Sequence, residues 1–198
     1  MKRSSSVIFV PLALALALPS LGAPRPKHGV GRKARSQSIS VRTYRNGRIL
    51  GLGLVPGSIL STPTSLSQDE QQFVELVNQE RARRHLVKLS IDPVLVAAAR
   101  QHSREMAEMD YFDHYSPVRG LRSPIDRYAV ALGTRKFTCI VGENLFFCSR
   151  RDVPLGHESL MKSPGHRANI LADDYRAIGV GAYLAPDGQY YVTQMFHT

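Results

Sequence analysis

Ser163-Pro164-Gly165-His166-Arg167-Ala168-Asn169-Ile170-Leu171 reads as a short helix with its start signals written out. Ser163 suits the cap position, and Pro164 suits the first turn, where a missing N–H costs nothing. Gly165 lets another group approach the backbone closely. His166 therefore stands in the first turn, near exposed backbone N–H groups and the positive end of the helix dipole. Imidazolium is disfavoured there, so the ring tends to stay neutral, the form that binds a metal or accepts a proton. Alone, the stretch reads first as a capped helix whose histidine fills a surface slot. The rest of the chain weighs between the two.

Working outward, residues 153–162 read as another helix. Downstream, Ile178 to Leu184 and Tyr190 to Phe196 flank Pro186-Asp187-Gly188, the pattern of a β-hairpin. Upstream, residues 137–148 are β-like, with Phe137, Cys139, Val141, Leu145 and Phe147. Ser123-Pro124 starts a helix that ends at Gly133. Asp92-Pro93 opens a longer one, whose inner face reads Leu95, Ala98, Ala99, His102, Met106 and Met109. His102 on that stripe is expected to be a satisfied core-edge histidine. Ser67-Gln68-Asp69-Glu70 is a capping box, and the helix behind it runs to about His85. Helices first and antiparallel strands last predict an α+β domain around a small sheet, spanning 67–198.

The chain begins like a secretory signal, over residues 1–23. Lys2 and Arg3 precede an apolar run, Val7 to Leu18, that is too short to span a bilayer. Small residues at Gly22 and Ala23 follow, and export as a soluble protein is expected. Residues 24–66 are rich in Pro, Gly, Ser and Arg and are expected to be a basic, mostly disordered linker, with one hairpin-like signal at Asn46-Gly47 between Ile39/Val41 and Ile49.

The formal charge of +10 is confined to the N-terminal part. Ten basic residues precede position 49, no acidic residue precedes Asp69, and from there Lys+Arg and Asp+Glu are 16 each. A nucleic-acid-binding domain carries its own basic face, so no nucleic-acid partner is expected. The tail is a solvated linker or a contact to anionic envelope and lipid surfaces. Cys139 and Cys148 form an even pair in an exported chain, which suggests a disulfide closing a short loop; two buried free thiols are the alternative.

Three points carry chemistry. Asp113-His114 sits in a polar loop, Gly142-Glu143-Asn144 interrupts an apolar strand, and His166 begins the short helix. A charged Glu143 in such a strand is costly unless paired or wet, so it should face a cleft or a partner. Two histidines and a carboxylate, if they converge, make a metal site or an acid/base site. His157-Glu158-Ser159-Leu160-Met161 begins like H-E-x-x-H but ends in Met, which removes a zincin site, and no G-x-S-x-G occurs.

Tyr111-Phe112-Asp113-His114, Gly142-Glu143-Asn144, Ser163 to Leu171, Ile178-Gly179-Val180-Gly181 and Thr193-Gln194-Met195-Phe196 stand in the order of the CAP superfamily, which groups cysteine-rich secretory proteins, antigen 5 and pathogenesis-related 1 proteins. The chain resembles its short bacterial branch of exported SCP-domain proteins, from about Gln68 to His197. The resemblance implies an α-β-α sandwich with a small antiparallel sheet. It also implies a cavity lined by two histidines, His114 and His166, and two acids. Glu143 is the first acid. Ser163 stands where longer members carry the second, with Leu160 in place of the preceding aromatic; Glu158 is a substitute that could reach the cavity.

By the same resemblance, the protein is a non-catalytic binding module for lipid, an envelope component or a protein partner. Its cavity holds a divalent cation weakly, zinc first, through His114 and His166. The alternative is a metal-assisted, peptidase-like hydrolase with Glu143 as catalytic base. A third reading is a structural envelope protein held electrostatically by residues 25–48.

Overall fold

Ser67 opens the first helix as its pattern requires. Its hydroxyl accepts from Glu70 N at 3.3 Å, and the Glu70 carboxylate accepts from Ser67 N at 2.8 Å. A computed structural model of the chain describes residues 65–198 and, as backbone, residues 35–42. The signal peptide expected at 1–23, the Asn46-Gly47 turn and the rest of the linker lie outside the described residues. The elements are β1 (Arg35–Arg42), α1 (Gln68–Ala82), β2 (Ser90–Ile91), α2 (Pro93–Glu108), α3 (Pro124–Leu132), β3 (Ile140–Cys148), α4 (Val153–Lys162), α5 (Pro164–Leu171), β4 (Ala177–Leu184) and β5 (Tyr190–His197). Among the described residues no helix is long and apolar enough to cross a membrane.

The strands form one sheet in the order β1-β3-β5-β4-β2. All neighbours are antiparallel except β2 and β4. Strand alternation gives the sheet two faces. On one face Phe146, Val180, Val192 and Phe196 pack with Phe73 and Val77 of α1, Leu160 of α4 and Ile170 of α5. On the other, Val141 and Met195 pack with Leu95, Ala98 and Ala99 of α2 and Tyr128 of α3. The result is the expected α+β sandwich of helices, sheet and helices. Each fully buried phenylalanine of the first face contributes on the order of 2–3 kcal/mol.

The two glycines of Ile178-Gly179-Val180-Gly181 set the distance between layers. A Cβ on Gly179 would lie 2.3 Å from the Leu95 carbonyl carbon, and one on Gly181 2.2 Å from that of Ala99. The α2 backbone thus rests directly on β4.

Three expectations need correction. Residues 35–42, placed in the linker, form β1 instead. Their period-two alternation of Ser with Gln37, Ile39 and Val41 finds an open strand edge on β3, where Ile39 lies opposite Glu143. Cys139 and Cys148 are free thiols rather than a disulfide. Cys139 immediately precedes β3 and Cys148 ends it, which at ~3.3 Å per residue places them roughly 30 Å apart, beyond bridging reach. Cys148 Sγ instead donates to Arg150 O at 2.7 Å. Met109, counted on the inner stripe of α2, is 50% exposed, because the helix has already ended at Glu108.

Candidate functional site

Glu143 and Asn144 are neighbours on β3 and so point to opposite faces of the sheet. Glu143 shares its face with Val141 and Leu145, toward α2 and α3. Asn144 shares the other with Phe146, toward α5.

On the first face the partner of Glu143 is Arg127, a residue the sequence reading passed over. Ser123-Pro124 starts α3, with the Ser123 hydroxyl and the Asp126 carboxylate completing a capping box. That fixes the helix so that Arg127, one turn on, faces inward and is 0% exposed. Its Nη2 donates to Glu143 Oε1 at 2.8 Å and Oε2 at 2.7 Å. The same nitrogen donates to His114 O at 2.9 Å, and Nη1 to Leu121 O at 3.0 Å. One guanidinium therefore ties β3 to two points of one loop, His114 and Leu121.

The His114 ring meets the same carboxylate, Nδ1 to Glu143 Oε1 at 2.8 Å. Burial alone would raise the Glu143 carboxyl. The Arg127 guanidinium outweighs it, with help from His102 and His114, and holds the group at about 2. An ionised carboxylate only accepts hydrogen bonds, so the proton between them sits on Nδ1. In neutral His114 that leaves the lone pair on Nε2. This atom is buried and has no hydrogen-bond partner among the described residues.

His102 closes this side. It is fully buried, its Nε2 donates to Asp113 O at 3.1 Å, and it lies 4.0 Å from Glu143 Oε1. Burial pushes its pKa down to about 4, so it stays neutral, the satisfied core histidine expected. Asp113 turns outward and accepts from Tyr115 N at 2.8 Å, which shapes the loop. Tyr111 and Ser116 both donate to Glu105 and fasten the loop to α2.

On the second face Asn144 holds α5. Its Nδ2 donates to His166 O and to Gln194 Oε1, both at 3.2 Å. Asn169 Nδ2, one turn after His166, donates to Asn144 Oδ1 at 2.9 Å and to Glu143 O at 3.2 Å. Arg81 of α1, 0% exposed, grips the other end of α5 by donating to Ile170 O at 3.0 Å and Ala172 O at 2.7 Å. A cation on terminal carbonyls suits the negative end of a helix dipole. Gly142 completes the fit, since a Cβ there would lie 2.2 Å from the Tyr175 hydroxyl. His166 is thus fixed at both ends of its helix and buried, at 2% exposure.

The structure joins His114 to Glu143 directly and ties the backbone of His166 to the same dipeptide. Among the described residues no three His, Cys, Asp or Glu side chains gather as ligands of one metal ion. The second acid is absent from its expected place. Ser163 is the residue between α4 and α5, and its hydroxyl makes no cap bond. Glu158 is exposed and pairs with Lys162 at 2.5 Å. The signal for Arg127 was available as a matched pair: one cation in the otherwise apolar face of α3 and one anion in an apolar strand.

The profile of the cysteine-rich secretory protein (CAP) family matches residues 74–196. The chain belongs to the CAP family. Bacillus subtilis YkwD is 39% identical over 121 residues, covering 61% of this chain and 45% of YkwD. The B. subtilis membrane protein YlbC is 34% identical over 128 residues, 64% of this chain and 34% of YlbC. The chain thus spans less than half of either relative. An extracellular SCP-domain protein from Bacillus anthracis superposes with a TM-score of 0.55 at 29% identity, covering 65% of this chain and 39% of that one. An outer surface protein from Borrelia burgdorferi shares the CAP fold at a TM-score of 0.57 and 18% identity, over 66% of this chain and 92% of that one.

Proposed function

We propose that this protein is an exported CAP-domain binding module without catalytic turnover. The observation that carries the reading is the condition of Glu143. Both its oxygens are engaged by Arg127 and His114, it is 0% exposed, and its pKa is about 2. A general base works with a pKa near the working pH and within reach of a substrate proton. Glu143 is instead a buried strut that orients His114, and the hydrolase alternative loses its base.

The same arrangement supports a weak divalent-cation site. A carboxylate on Nδ1 is the usual way to aim the Nε2 of a ligating histidine, and His114 offers a buried Nε2 without a hydrogen-bond partner. His114 would supply the first ligand to the ion, zinc first, and His166, whose helix packs on the opposite face of the sheet, would have to reach it around the outer edge of β3. Bound there, it supplies positive charge to the surface that meets a lipid, an envelope component or a protein partner. Export is supported by the N-terminal apolar run and by two structural relatives named as extracellular and outer surface proteins. The basic stretch 25–48 would add contact with anionic surfaces.

Zinc calorimetry on the full chain tests the cation site. Heats are expected for the wild type and lost in His114→Ala and His166→Ala; equal heats in all three would remove the site. Turnover of peptidoglycan, casein or lipid esters by the wild type that disappears in Glu143→Gln would overturn the non-catalytic reading.

A further inference from the structure

His157 begins the motif that Met161 leaves incomplete as a zinc site, yet its ring is buried, at 8% exposure. It stands on α4 beside Gly156, where a Cβ would lie 2.8 Å from Cζ of Phe73 and 3.1 Å from Cδ1 of Phe146. α4 is thus pressed against α1 and β3, directly over two core rings that it keeps from water.

Nδ1 of His157 is buried and has no hydrogen-bond partner among the described residues. Glu80 of α1 is the carboxylate that acts on the ring, but both its oxygens are taken. Oε1 accepts from Arg83 at 2.6 Å and Oε2 from Arg84 at 2.5 Å. Arg83 itself opposes a charge on the ring. On α4, Glu158 and Lys162 pair with each other. Of the titratable groups on the other elements packed against α4, Glu143 lies on the far face of the sheet, and Cys148, His166 and Arg167 do not act on the ring.

A protonated imidazole carries hydrogen on both nitrogens. His157 would then hold a charge and a buried Nδ1–H without an acceptor, and both are costly away from water. Burial accordingly holds the ring below its ordinary 6.5, against the pull of Glu80. The cost vanishes if α4 lifts and the ring meets water.

We propose that His157 is an acid-sensitive latch: on protonation α4 lifts from α1 and uncovers the apolar surface of Phe73 and Phe146. α5 stays in place, because Asn144 and Arg81 hold it independently of α4. The contribution of neutral His157 to the closed seam is complete above its ordinary pKa and is lost as pH falls below it. The inference goes beyond the cation reading and does not depend on it, since neither His114 nor His166 takes part.

Two measurements on the full chain, without added metal, test it. An NMR titration of the His157 ring is expected to give a pKa below 6.5. Amide hydrogen exchange over residues 153–162, corrected for its intrinsic pH dependence, is expected to quicken at least about three-fold between pH 7.5 and 5. In His157→Leu, which takes up no proton there, it should stay level. His102 also favours its neutral form, but it is the same in both proteins, so the difference belongs to His157. Arg83→Gln alters a mostly exposed side chain and frees Glu80 Oε1. It should raise the pKa of His157 and blunt the acid response, even where His157→Leu fails to fold. A wild-type pKa at or above 6.5 would overturn the proposal, because Glu80 would then exchange an arginine for the ring. Equal quickening in His157→Leu, or quickening that spreads evenly to 177–197, would overturn it as well.

Discussion

Glu143 and Asn144 are consecutive residues that fasten one strand to two helical layers by different means. Glu143 holds α3 and the His114 loop through a buried ion pair. Asn144 holds α5 through neutral amides. The two anchors are matched in burial, both at 0% exposure, but not in what failure costs. A charge left alone in the interior is far more expensive than an amide left alone. The loop bearing His114 is therefore held by the more brittle fastening, and the helix bearing His166 by the more forgiving one.

The largest test of this difference is Arg127→Met, which strands Glu143 without its cation. It should cost about 3–5 kcal/mol of stability by denaturant unfolding. A double variant, Arg127→Met with Glu143→Leu, removes both charges and should recover most of that loss. If the double variant is no better than the single, the ion pair is not the fastening. On the other face, Asn169→Ala should cost about 1–3 kcal/mol, as unpaired amide and carbonyl groups remain on Asn144 and Glu143.

Acid separates the faces further. Glu143 has a folded pKa depressed from an ordinary 4.5 to about 2. Its contribution is complete above the ordinary value and is lost as pH falls through the folded one. The penalty of Glu143→Gln should therefore shrink between pH 4.5 and 2, while that of Asn169→Ala stays constant. Parallel behaviour of the two would erase the distinction.

The smallest effect is expected at the rim of the Glu143 face. There His197 Nε2 meets Asp92 Oδ2 at 2.7 Å. Their hydrogen bond raises His197 above 6.5 and lowers Asp92 below 3.8. The His197 contribution is complete below its ordinary pKa and fades as pH rises through the raised one. That of Asp92 is complete above its ordinary pKa and fades as pH falls through the lowered one. His197→Gln should therefore cost about 0.5–1 kcal/mol between pH 4 and 6.5, and less on either side.

Much of this frame was readable in the chain. Ser67, Asp92 and Ser123 announce α1, α2 and α3 because capping is local, and each makes the bond its position implies. The β4–β5 hairpin follows from alternation around Pro186-Asp187-Gly188 for the same reason. His114 and Glu143, read as a pair from separate motifs, do meet. What escaped depends on distant pairing. Arg127 looks like any helix arginine until α3 is laid against β3. Cysteine spacing suggests a loop only while Ile140 to Cys148 is imagined bent rather than extended. β1 looked like linker because the edge that orders it lies a hundred residues away in sequence.

The bare contact of α2 with Gly179 and Gly181 has a mechanical consequence. Where two backbones touch, no compliant layer of side chains lies between them to absorb a displacement. Helix and hairpin must then shift together, like two planks bolted face to face. The C-terminal end of α2 leads straight into the loop that presents His114. A load applied to the hairpin is thus delivered to that histidine undamped, whereas it reaches His166 only through the side-chain amides of Gln194 and Asn144 on the far side.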